Sequence, residues 1–201
     1  GLGAVPTMII VKNRDQTDDW YCYNVHNGNT HSILLNSTGA KVGAYTDNWN
    51  NTTPTSSVFS VGGSHATSGG SSEKMIAYCF TDVKGYSKFG SFSGTGNADG
   101  AFVYTGFAPA WLILKKTNSS GSVNWFMFDN KRSPINAVDD FLKADTSDAE
   151  GGDGNGYLDF LSNGFKFKTA NIGTESGGTF IYMCFAESPL VNSNGIPNNA
   201  R

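Results

Sequence analysis

Apolar residues in this chain fall in short alternating runs, with little of the three-to-four spacing that marks a helix. In Phe165-Lys166-Phe167-Lys168 aromatic and charged positions alternate, the pattern of a half-buried strand with one wet face. Met8–Lys12 follows Pro6 and is rich in Ile and Val, and Trp111–Lys115 follows Pro109 and reads the same way. Trp20–Asn24, Ser32–Leu35, Ser57–Val61, Met75–Asp82, Gly85–Phe92, Phe102–Thr105, Trp125–Asp129, Tyr157–Leu161 and Phe180–Glu187 complete a set of roughly twelve predicted strands. Turn clusters such as Asn27-Gly28-Asn29 and Gly94–Gly100 separate them. A single segment, Asn136–Ala144, is predicted helical, because Val138, Phe141 and Leu142 share one side of a helix turn.

The strands recur in order. Val5–Lys12 returns as Ala108–Lys115 at an offset of 103, while Trp20–Asn24 returns as Trp125–Asp129 and Met75–Asp82 as Phe180–Glu187, both at 105. The chain is therefore expected to hold two internal repeats, residues 1–100 and 101–201. Many short strands without a long helix predict an all-β, antiparallel β-sandwich. Because Tyr86, Phe89, Phe92, Phe102, Tyr104 and Phe107 cross the repeat junction without a linker, one domain over 1–201 is expected. The alternative is two small tandem β domains.

Composition narrows the possibilities. Gly, Asn, Ser and Thr make up 83 of the 201 residues and only 15% are charged, which excludes coiled coils, helical bundles and charged disordered chains. A net charge of −3 with few arginines excludes a nucleic-acid partner as the main one, since phosphate binding needs clustered Lys and Arg. The apolar runs are too short for membrane insertion by a helix. The chain begins at Gly1 with no initiating Met and no signal peptide, so it is expected to be a processed product or one domain of a longer protein. Cys22, Cys79 and Cys184 lack CxxC spacing and sit in apolar segments, which predicts reduced thiols, with a Cys79–Cys184 disulfide as the competitor.

Several stretches carry a family likeness: Gly3–Arg14, Trp49–Ser60, Gly85–Phe92, Phe102–Phe107, Phe160–Lys166 and Phe185–Leu190. Together they resemble the lectin-like modules found at the C-terminal end of tail-fibre and other virion appendage proteins of tailed bacteriophages, notably marine ones. The resemblance implies a concanavalin A-like jelly roll on the virion surface with a role in host attachment. Its expected partners are a host-surface glycan or protein and other virion proteins, in a homo-oligomer expected to be a trimer because fibre proteins usually are. It transfers no catalytic or metal residues.

Candidate chemistry is sparse. His26, His31 and His65 stand in no nucleophile signature, and the acidic residues cluster in turns rather than along an apolar strand, so no enzymatic activity is expected. Cys22, His26 and His31 are zinc-ligand types at an unspecific spacing and read as surface histidines. Asp153, Asn155 and Asp159 offer oxygen ligands at alternate positions for calcium, but Leu158 and Gly164 break the EF-hand pattern, so no cofactor is expected and calcium is the one candidate. A sandwich lectin would stack a loop aromatic on a sugar face, and Tyr45-Thr46-Asp47-Asn48-Trp49-Asn50 has that makeup. Tyr45, Asp47, Asn48, Trp49 and Asn50 are the candidate ligand residues, whereas Trp20, Trp111 and Trp125 read as core. Three functions remain: an adhesion module without catalysis, a structural module decorating a capsid, tail or extracellular filament, and a carbohydrate-active enzyme.

Overall fold

A computed structural model describes residues 2–119, 121–171 and 173–189; Leu190 of the last family-like stretch lies outside them. The described residues are almost entirely β. Their strands form antiparallel sheets, as the alternating runs predict. The one helix among the described residues, α1 (His65–Ser68), is a single turn absent from the sequence expectations. The chain divides into two compact units, one running to Thr81 and including Gly121 and Ser122, the other comprising Asp82–Ser119 and the residues from Val123 onward.

The first unit is one sheet. β1 (Met8–Asn13) lies between β2 (Tyr21–Asn24) and β4 (Met75–Phe80), and β3 (Ile33–Leu34) extends the β2 side, giving the order β3-β2-β1-β4. Ile9, Val11, Tyr23 and Trp49 form one buried cluster on it, with Tyr21, Phe59, Met75 and Cys79 packed around them; Met8, Ile10, Cys22 and Ile33 are buried as well. Much of that cover comes from the irregular segment between β3 and β4. Ser57–Val61, predicted to be a strand, makes no ladder: Thr55 turns back on Val58 through backbone and hydroxyl bonds and closes a local loop instead.

The second unit is a two-sheet sandwich. Its larger sheet runs β5 (Ser87–Gly94), β12 (Gly178–Ala186), β7 (Pro109–Lys116), β8 (Phe126–Asp129), β9 (Leu142–Lys143); the smaller runs β10 (Leu158–Leu161), β11 (Gly164–Phe167), β6 (Phe102–Tyr104). Leu112, Leu114, Phe126, Phe128, Phe180, Tyr182 and Cys184 of the first meet Val103, Leu158, Phe165 and Phe167 of the second in one core. Phe92 of β5 stacks on Phe180 at 5.0 Å and on Phe167 at 5.1 Å between ring centres. In register opposite Tyr182 stands Gly90, where a Cβ would lie 2.6 Å from the tyrosine oxygen. Only the absence of a side chain lets the ring lie there.

The strands of the repeated blocks take matching places. β1, β2 and β4 correspond to β7, β8 and β12, and their pairs match one for one: Met8 faces Asn24 and Phe80 as Trp111 faces Asp129 and Phe185. The division between units falls at Thr81, and β5 and β6 join the later sheets.

Asn136–Ala144 is not helical. Val138 bridges Leu158, Phe141 bridges Gly151 and Leu142 pairs with Met127. The apolar triplet that resembles a helix face is thus three separate strand-like contacts. All three cysteines are free thiols. Trp125 is buried, while Trp20 is only partly so and stacks on Tyr78 at 6.5 Å.

Candidate functional site

A concave surface of the second unit lies where the loop after β8 meets the β10–β11 turn. Asp129, the last residue of β8, accepts the Lys131 and Arg132 amides at 2.8 Å each and pairs with the Arg132 guanidinium at 2.7 Å. Burial pushes this carboxyl up, but those amides and the guanidinium outweigh it and hold it below the usual carboxylate range. Arg132 reaches on to Glu150 at 2.5 Å. Ser133 then accepts the amides of Asp139 and Asp140 and donates to the Asp140 carboxylate at 2.8 Å. The Asn136 side chain pairs with both backbone groups of Phe160, at 3.0 and 2.8 Å, as a neighbouring strand would. Three short side chains thereby fix a loop that has no strand of its own.

Beside that loop lies an open cleft of about 380 Å³. Its polar wall is Asn130, Lys131, Ser133, Asn136, Ser162 and Glu187; Phe160, Leu161 and the two prolines Pro109 and Pro134 supply the apolar part. The Asn130 side-chain oxygen is buried and has no hydrogen-bond partner among the described residues. Amides and hydroxyls with a single cation and a single carboxylate suit a ligand that is itself rich in hydroxyl or amide groups. None of these residues was selected by sequence reasoning, since they come from four segments far apart in the chain. The mixture of turn residues in 130–136 was the one signal available.

The loop selected from sequence lies in the first unit, and two of its residues, Asn48 and Trp49, are internal. Trp49 is 1% exposed, stands edge-on to Tyr23 with centroids at 5.7 Å, and donates its indole N–H to the Ser32 hydroxyl at 3.0 Å. Asn48 is buried too and donates to the same hydroxyl at 2.9 Å, while its carbonyl accepts Thr67. Neither has a face open to a ligand, which corrects their assignment as contact residues. Tyr45, Asp47 and Asn50 are exposed, and Asn50 holds a left-handed turn at φ 49°.

The candidate calcium ligands do not converge. Asp153 accepts the Asn155 amide at 3.0 Å, and Asp159 faces Lys168 at 3.7 Å. The loop wraps a different carboxylate: Asp139 accepts the amides of Gly154 at 2.8 Å and Gly156 at 3.0 Å. Burial raises its pKa, but those bonds outweigh burial and hold the group in its charged form. Among the described residues no three His, Cys, Asp or Glu side chains are placed to hold a metal ion.

Sequence reasoning also passed over a charged cluster in the first unit. The His65 ring lies 2.9 Å from Glu73 and 3.3 Å from Asp18, and the buried Asn13 donates to both carboxylates. The Gly70 amide and Asn13 lower the Glu73 pKa. The cluster ties α1 to the end of β1 and needs no ligand to account for it.

Fold and cleft together define an all-β chain of antiparallel sheets with a loop-built cleft in its sandwich unit. The chain belongs to the DUF7483 family, a domain of unknown function whose sequence profile matches residues 1–189. No curated protein and no solved structure matches it.

Proposed function

We propose that this chain is a recognition module without catalysis, which binds a cell-surface glycan in the cleft formed by Asn130, Lys131, Ser133, Asn136, Ser162 and Glu187, as the attachment part of a phage tail fibre or other virion appendage. One observation carries the binding part: a preformed cleft whose wall is mostly uncharged amide and hydroxyl side chains. Sugars bring many hydroxyl donors and acceptors and an apolar ring face, and Phe160 and the prolines offer the matching apolar surface. A glycosidase would need two carboxylates across the scissile bond, whereas Glu187 alone lines this cleft. The virion setting rests on the resemblance of the family-like stretches.

The test is binding of the intact chain to a glycan array and to candidate host cells. Asn130→Ala and Ser162→Ala are each expected to weaken binding about tenfold, the effect of one lost hydrogen bond to ligand, with the melting temperature little changed. Tyr45→Ala should leave binding untouched. Binding that survives both cleft variants, or no binding to any glycan or cell surface, would overturn the proposal.

A further inference from the structure

Among the described residues β4 pairs with β1 and β12 with β7, but only β12 has a strand on its other side. Arg14 donates its amide to the Lys74 carbonyl at 2.8 Å, so Lys74, Ile76, Tyr78 and Phe80 turn their backbone groups toward β1. Met75, Ala77 and Cys79 turn theirs outward, at the free edge of the sheet order β3-β2-β1-β4. In the other unit the counterparts are Phe180, Tyr182 and Cys184. Their outward groups are taken by Phe92, Gly90 and Lys88 of β5, as the Ala186 amide on the Tyr86 carbonyl at 2.8 Å confirms. The edge of β4 is thus a strand-sized gap whose occupied equivalent is visible in the same molecule.

Sheet edges left in solvent are normally blunted by charge, proline or a bulge. From Met75 to Thr81 there is no charged residue and no proline, and β4 pairs with β1 without a shift of register. Ala77 and Tyr78 are exposed, Tyr78 by 43%. The strand is also complementary to itself. An antiparallel pair centred on Ala77 sets Met75 opposite Cys79 of the second copy, and it sets each exposed Tyr78 ring opposite the Ile76 of the other. That last pair, aromatic against β-branched, is among the favourable cross-strand combinations.

We infer that β4 pairs edge to edge with β4 of a second copy of this chain across a two-fold axis at Ala77, joining two four-stranded sheets into one of eight. The contact is confined to six residues a side, well below a standard interface, so association is expected only at roughly 10 to 500 µM.

Sedimentation velocity of the intact chain across that range tests it, together with hydrogen exchange read residue by residue. The expected result is a monomer–dimer equilibrium in which the Met75, Ala77 and Cys79 amides exchange freely when dilute and become protected as dimer forms. Ile76 and Tyr78, bonded to β1, stay protected throughout. Ala77→Pro removes only an outward amide and should abolish the dimer; Tyr78→Lys, which keeps the backbone unchanged, should weaken it at least tenfold and serves if the proline variant fails to fold. A monomer at every concentration, a trimer, a dimer that survives Tyr78→Lys, or outward amides already protected in dilute solution would overturn the inference.

Discussion

Each unit holds four strands in a corresponding order, β3-β2-β1-β4 and β9-β8-β7-β12, yet covers them differently. One spends a fifth strand and a second sheet on the task, and fourteen buried residues join in a single core. The other uses the segment between β3 and β4, whose Trp49 is the largest buried side chain of that unit. A strand cover must have the right register and small residues at the right places, Gly90 beneath Tyr182 among them. A loop cover needs one large side chain with its polar atom satisfied, which is how Trp49 and Ser32 meet. The same sheet can therefore be closed by geometry or by bulk, and the closure by bulk leaves an edge free.

Breaking the bulky closure should have the largest effect. Trp49→Ala removes the main cover of the smaller core and is expected to cost about 3–5 kcal/mol in urea unfolding; a loss under about 1 kcal/mol would return Trp49 to the surface role suggested by its loop. The strand closure should be sensitive in the opposite way, to added atoms. Gly90→Ala forces a methyl against the Tyr182 ring and should cost about 1–3 kcal/mol. Ala77→Val, at the position corresponding to Tyr182 but on the open edge, should stay within about 0.5 kcal/mol. Equal costs at the two positions would show that β4 is as enclosed as β12.

The smallest effect is one of pH. Lys115 follows the core of β7, is fully buried and donates to the Val123 carbonyl. Burial lowers its pKa to about 8, against an opposing pull from Asp145. A lysine whose folded pKa lies below its unfolded value binds fewer protons when folded, so this residue's contribution to stability rises with pH from about 8 to the unfolded lysine value near 10.5. Wild type should gain on Lys115→Met across that window, and a flat difference would mean that the ammonium is solvated.

How far the chain could be read ahead of its structure depended on whether a contact lies along a strand or between distant loops. Alternation in Phe165–Lys168 and recurrence of the Met8, Trp20 and Met75 blocks located the strands, because side-chain period and pairing register are properties of consecutive residues. Val138, Phe141 and Leu142 misled for the same reason: spacing alone cannot distinguish one helix face from three bridges to three different partners. Trp49 looked like a binding residue because its neighbours are polar, yet Ser32, far back in the chain, supplies the acceptor that allows burial. The cleft was illegible altogether, since Pro109, Asn130, Ser162 and Glu187 meet only once the sandwich has closed. The acidic loop showed its carboxylates but not that Asp139 would be the one it wraps.

Each sheet places its first strand beside its last, and this sets the order in which the protein can be made. β1 waits for β4, so the earlier sheet is complete as soon as Phe80 has left the ribosome and can form while the rest is still being synthesised. The later sheet has no such freedom. β12 is the shared neighbour of β5 and β7, and until residues 178–186 emerge both strands stand with apolar edges open. Non-local pairing of this kind folds slowly, which makes the interval before residues 178–186 emerge the time of greatest exposure to aggregation.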